Sequence, residues 1–232
     1  VLAAAGISLY RTGSRYRIPG GQRYRLPSHL TVEGDWSAAA FFLCAGAMSR
    51  EGIAVDGLSL PTRQGDSALL PLLRQMGAEV NLSSGCITVR KGRLRATDID
   101  ARPIPDLIPP LSVLAAAAKG GSHIQNARRL RYKESDRLQG IAELLNSLGG
   151  CLTVDGDGLL IHGVSHLQGG TVDPMGDHRL AMSAALAALS ADAPVTVRDA
   201  DCVSKSYPAF WADFQSLKGE APCPAPSETP SV

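Results

Sequence analysis

Residues 129–145 read RLRYKESDRLQGIAELL, which puts Arg131 and then Lys133, Glu134, Ser135, Asp136 and Arg137 at the head of a predicted helix. Further on, Gly176, Asp177, His178 and Arg179 open a second predicted helix, and Lys205 stands in CVSKSYP before a third. Helix N-termini present unpaired N–H groups and the positive end of the peptide dipole, both of which favour anions. Arg137 and Arg179 can each grip a carboxylate through two parallel hydrogen bonds, while Lys205 suits phosphate as a mobile point charge. The chemistry this set suits is binding of a small substrate that carries both a carboxylate and a phosphate. Each motif alone has a plainer reading. Glu134 and Arg137 are three residues apart and can form an exposed helix pair worth about 0.3–0.5 kcal/mol. Asp-His-Arg can be a capped helix start, Lys205 a surface lysine, and Cys202 a buried thiol. Their occurrence together, in matched loops, is what favours a site. No Gly-rich phosphate loop, metal-ligand cluster or Ser-His-Asp order accompanies them.

The loops match because the chain repeats. VLAAAGISL (1–9), LLRQMGAEV (72–80) and LLNSLGGCL (144–152) place Gly6, Gly77 and Gly149 at steps of 71 and 72 residues. Asp35, Asp106 and Asp177 precede apolar helical segments at steps of 71, and Glu134 and Lys205 are separated by the same step. Each unit reads as helix end, Gly, two short strands, a third strand, Asp, Ala-rich helix, strand, loop and helix. A period of this length exceeds the roughly 20–50 residues of solenoid repeats. The expected fold is α/β, with three units around a pseudo-threefold axis. Asp is a preferred N-cap, so capping is the plain reading of all three aspartates, although Asp106 and Asp177 have chemical company; the three are expected at equivalent positions at the N-termini of three near-parallel helices.

Composition sets the limits around this site. The 232 residues are 44% hydrophobic, enough for a substantial core. A net charge of +1 gives no bulk case for nucleic acid or an acidic membrane surface. Five cysteines with no C-x-x-C pair read as reduced thiols, which predicts a cytoplasmic protein. No apolar run reaches membrane-spanning length. The opening VLAAAGISLY reads as the end of a helix, a Gly stop and a strand, so the chain is expected to be a piece of a longer protein. The Pro- and Ser-rich segment 218–232 is expected to be a disordered tail.

VEGDWSAAAFFLCAGAM, IPD at 104–106, RYKESDRL, MGDHRLAMS and CVSKSYPAFW closely resemble the C-terminal half of the 5-enolpyruvylshikimate-3-phosphate synthase family, from the first residues to about Leu217. That resemblance implies one lobe of a two-lobed fold built from βαβαββ units. Residues 1–33 would be the end of the other lobe with its crossing strand, and 34–217 the C-terminal lobe. It also implies transfer of the enolpyruvyl group of phosphoenolpyruvate to the 5-hydroxyl of shikimate 3-phosphate, with no metal or organic cofactor. Residue by residue, Asp106 matches the acceptor of the hydroxyl proton and Glu134 the residue that moves a proton at the methylene carbon. Lys133 matches a shikimate-phosphate contact. Arg137 and Arg179 match the pair that holds the phosphoenolpyruvate carboxylate, and Lys205 the lysine near its phosphate. Asp177 and His178 line the same pocket, and Arg129 stands at a substrate-contact position where some members carry Asn. Further ligands would come from the absent N-terminal lobe, so the lone chain is expected to be nearly inactive. Arg137 is expected to be exposed, and its loss to leave the fold unchanged. The competing readings are a non-catalytic anion-binding or scaffold domain of this fold, and an enolpyruvyl transferase with another acceptor.

Overall fold

The structure is a computed structural model that describes residues 2–83 and 85–217, so the expected tail at 218–232 lies outside the described residues. The chain divides into two compact units, residues 1–33 and the remainder from Gly34. In the first, β1 (Tyr10–Thr12) and β2 (Arg15–Arg17) form an antiparallel hairpin, with Gly13 at positive φ in the turn. The Gln22 amide bonds both backbone groups of Ser8, and the Arg25 N–H reaches the Ala5 carbonyl.

The second unit shows the predicted repeat. Its first part runs α1 (Trp36–Met48), β3 (Ile53–Asp56), a 3-10 turn (Gly65–Ala68), α2 (Leu69–Gln75), β4 (Glu79–Ser83) and β5 (Cys86–Arg90). Next come β6 (Ile99–Asp100), a 3-10 turn (Pro105–Leu107), α3 (Ile108–Ala116), β7 (Gly121–Gln125), a 3-10 turn (Arg128–Tyr132), α4 (Arg137–Ser147), β8 (Cys151–Asp155) and β9 (Gly158–His162). The last part is β10 (Gly170–Val172), α5 (His178–Ala187), β11 (Val195–Val197), a 3-10 turn (Ala200–Lys205) and α6 (Phe210–Ser216). The sheets are ordered β3-β5-β4, β6-β7-β9-β8 and β10-β11. β6 runs parallel to β7, and β10 parallel to β11, as equivalent pairs should.

Two kinds of helix follow from two kinds of sequence. α1, α3 and α5 are apolar on nearly every side and touch one another; all nine residues of α3 are buried. Small Ala side chains let such helices sit close without a polar face. α4 is amphipathic and buries Leu138, Ile141, Leu144 and Leu145 while Gln139, Glu143 and Asn146 stay outside. Gly140 lets α4 approach α5, since a Cβ there would lie 2.6 Å from Leu180 Cδ1 and 2.7 Å from Met175 Cε. Short α6 is fixed by aromatic contacts to α1: Phe210 packs edge-on to Phe41 and Phe42, and Phe214 packs edge-on to Phe42 at 6.1 Å. Such pairs are each worth about 0.5–1.5 kcal/mol beyond their buried area. They anchor the segment that follows Lys205.

One expectation about the aspartates is corrected. Asp35 caps α1 by accepting from Ser37 and Ala38, and Asp177 caps α5 by accepting from Arg179. Asp106 caps nothing. It lies inside the 3-10 turn that leads into α3 and makes no capping hydrogen bond. The 3-10 turn Pro105–Leu107 runs directly into α3, so Asp106 is already inside the helical segment rather than at its start. The Asp106 carboxylate is thereby left for other partners.

Candidate active site

Three loop–helix junctions supply the site. Lys133 ends the 3-10 turn before α4, Glu134 follows it, and Arg137 opens the helix. Asp136 is the cap of α4 and accepts from the Gln139 N–H. Arg131 holds that cap in place, with Nη1 3.0 Å from Asp136 Oδ2 and Nη2 2.7 Å from the Gly156 carbonyl. Arg131 is therefore part of the scaffold.

Arg137 is the hub. Its Nε donates to Asp177 Oδ2 at 2.7 Å, Nη1 to Asp106 Oδ1 at 2.9 Å, and Nη2 to Glu134 Oε2 at 2.6 Å and Asp177 Oδ1 at 3.2 Å. Its side chain is 1% exposed, and Asp177 is fully buried. The expectation of an exposed Arg137 is thus wrong. A guanidinium has five N–H donors, and four of these are engaged, leaving one on Nη1. Around this hub, Lys133 Nζ lies 3.1 Å from Asp106 Oδ1, and Arg179 Nε 3.5 Å from the same oxygen. Lys205 Nζ lies 3.1 Å from Glu134 Oε1. Four cations thus interleave with three carboxylates.

This arrangement sets the proton affinities. Burial pushes the Glu134 carboxyl upward, but its own N–H, the Lys205 hydrogen bond and the Arg137 charge outweigh burial and bring it to about 2. At Asp106, burial is likewise outweighed by Arg179, Lys133 and Arg137, and the carboxyl falls below its ordinary value. His178 is lowered first by burial and then by the Arg179 charge, with Asp177 opposing. Its Nδ1 is buried without a hydrogen-bond partner among the described residues.

The structure therefore brings together Asp106, Lys133, Glu134, Arg137, Asp177, His178, Arg179 and Lys205. Arg129 has no bond to this cluster among the described contacts; it lines a separate cleft of about 540 Å³ with Arg102, His123, Asn126 and Arg128. Ser135 was missed by sequence reasoning: its Oγ donates to Asp177 Oδ2 at 3.1 Å. A serine between Glu134 and Asp136 carries no signal of that contact.

Comparison with known proteins accords with this geometry. Residues 1–214 match the family model of EPSP synthase (3-phosphoshikimate 1-carboxyvinyltransferase). The chain is 42% identical over 211 residues to a 3-phosphoshikimate 1-carboxyvinyltransferase of Clostridium kluyveri, covering 90% of this chain and 49% of that protein. It is 43% identical over 219 residues to the protein of the same name from Methanocella arvoryzae, covering 94% of this chain and 51% of that protein. The chain thus spans about half the length of the curated relatives it matches. A solved structure of EPSP synthase from Acinetobacter baumannii superposes with a TM-score of 0.80 at 28% identity, covering 95% of this chain and 53% of that one. With its lobe fold, its interleaved cluster and these matches, the chain belongs to the EPSP synthase (3-phosphoshikimate 1-carboxyvinyltransferase) family.

Proposed function

We propose that this chain is the C-terminal half of a cytoplasmic enzyme that transfers the enolpyruvyl group of phosphoenolpyruvate to the 5-hydroxyl of shikimate 3-phosphate. The observation that carries this reading is the interleaved cluster, in which two carboxylates suited to proton transfer, Asp106 and Glu134, share the cations Lys133, Arg137, Arg179 and Lys205. In the addition step the substrate hydroxyl oxygen bonds to C2 of phosphoenolpyruvate. Asp106 accepts the hydroxyl proton, and the methylene carbon gains a proton from Glu134. In the elimination step the C2–phosphate bond breaks, phosphate departs, and the methyl group returns a proton to Glu134.

Glu134 cannot act as an acid near neutral pH while its carboxyl sits at about 2. Phosphoenolpyruvate supplies the remedy. Its phosphate draws off Lys205, and its carboxylate competes for Arg179 and the last free N–H of Arg137. Withdrawing Lys205 from Glu134, and bringing the substrate's own negative charges beside it, raises its proton affinity toward the working range. Lys133 remains to hold Asp106 and to meet the acceptor.

The N-terminal lobe is the proposed partner. Tyr10, Tyr16, Ile18, Tyr24, Leu26, Leu30 and Val32 in residues 1–33 are all more than half exposed, and such a lobe would cover them. It would also exclude water from the cluster and strengthen each charged contact. The test is phosphate release from phosphoenolpyruvate and shikimate 3-phosphate by the chain alone and mixed with a matching N-terminal half. Turnover is expected only in the mixture. Robust turnover by the lone chain, or none in a mixture shown to associate, overturns the reading.

A further inference from the structure

Ser135 stands between two residues whose parts are plain. Glu134 belongs to the charged cluster, and Asp136 caps α4 by accepting from the Gln139 N–H at 3.2 Å. The Ser135 hydroxyl is therefore not needed as a cap. It reaches across instead and donates to Asp177 Oδ2, on the cap of α5, at 3.1 Å. Counting back by 71 residues, the equivalent of Ser135 in the first part of the repeat is Gln64. The Gln64 amide stays at the start of its own α1, where it donates to the Gly34 carbonyl at 2.9 Å and accepts from the Trp36 N–H at 3.0 Å. The contact from Ser135 to the next part of the repeat thus does not follow from the shared plan; it occurs where the charged cluster is.

The bond completes the set on Asp177. Oδ1 accepts from the Arg179 N–H at 2.9 Å and from Arg137 Nη2 at 3.2 Å, and Oδ2 accepts from Arg137 Nε at 2.7 Å and from Ser135 Oγ at 3.1 Å. Four donors fill the lone-pair sites of a carboxylate, and this one is fully buried. Arg137 meets it as a fork through Nε and Nη2, which fixes the plane of the guanidinium. That plane carries Nη1 to Asp106 at 2.9 Å and Nη2 to Glu134 at 2.6 Å. We infer that Ser135 is a positioning residue for Arg137: its hydroxyl holds the Asp177 carboxylate at the angle that aims the free Nη1 hydrogen at the substrate carboxylate. Without the hydroxyl, Oδ2 keeps Arg137 Nε alone, and the carboxylate can turn about its Cβ–Cγ bond and carry the fork with it. A hydroxyl suits this task because it adds a donor without adding a charge, so Asp177 stays the counter-ion of Arg137.

This inference rests on the proposed function, and two measurements keep their failures apart. In the isotopically labelled lone chain, the Arg137 Nε–Hε resonance should move downfield in Ser135→Ala, because Asp177 Oδ2 then has Nε as its one donor. Ser135→Thr keeps the hydroxyl and should hold the resonance near its wild-type position. Ser147→Ala removes a hydroxyl that bonds the Leu144 carbonyl at the far end of α4, and it should leave the resonance in place. In the reconstituted pair, Ser135→Ala should raise KM for phosphoenolpyruvate about tenfold while kcat stays within about threefold. KM for shikimate 3-phosphate should not change, and Ser135→Thr should recover most of the loss. An Arg137 resonance in Ser135→Ala that superposes on wild type overturns the inference. So does an unchanged KM for phosphoenolpyruvate, or a Ser135→Thr variant as impaired as Ser135→Ala. If the wild-type pair shows no turnover, the functional reading fails while the resonance still decides on Ser135.

Discussion

Arg137 holds the site together through bonds to three carboxylates while buried to 1% exposure. Removing it would leave Asp106, Glu134 and Asp177 facing one another, so Arg137→Ala should cost about 3–5 kcal/mol. Lys205→Ala, at a side chain 58% exposed, should cost no more than about 1 kcal/mol. Urea unfolding of both variants checks this, and equal midpoints would count against the hub. Glu134 gives a pH test of known sign. Its folded value of about 2 lies below the ordinary value of about 4.3, so its contribution to stability is present above about 4.3 and is lost as pH falls toward about 2. Asp106 is lowered too and acts in the same direction. Glu134→Gln should therefore flatten acid unfolding across that window, and an unaltered acid profile would sink the assignment. Lys205→Ala should also move the Glu134 carboxyl upward, which carbon NMR of the carboxyl reads directly. The sequence named most of these residues through KESDR and GDHR. It did not reveal that Arg137 is buried, because a helix-head arginine followed three residues after a glutamate has the same pattern in an exposed pair.

At the scale of elements, the approach of α4 to α5 lets Arg137 at the head of one reach Asp177 at the cap of the other. Gly140 permits that approach. Gly140→Leu should force the helices apart, cost about 1–3 kcal/mol through overpacking, and lengthen the Arg137–Asp177 contact. Thermal unfolding and a structure of the variant would check it, and an undisturbed ion pair would refute the dependence. The repeat, the alternating strands and the Ala-rich inner helices were all legible, because spacing and apolar periodicity survive in a bare sequence. Capping at Asp106 was misjudged for a local reason. The 71-residue step made three aspartates look alike, but a 3-10 turn fused to the start of α3 carries Asp106 inside the helical segment rather than to its cap, and spacing alone does not show such a turn.

At the scale of the whole molecule, the three sheets of the second unit have three, four and two strands among the described residues, although its repeats share one plan. The inner helices α1, α3 and α5 give them a common centre, and no single unit can cover the apolar sides of its own inner helix. α3, buried along its entire length, shows this most clearly. Its amides have no nearby surface through which a local fluctuation could expose them. Deuterium should therefore enter α3 only when the whole second unit opens, so its slowest amides exchange at the rate set by global unfolding. An exchange free energy from α3 should match the value from urea unfolding, and should fall by the same amount in Arg137→Ala. The innermost helix would then serve as a built-in gauge of the stability that the charged cluster at its head confers.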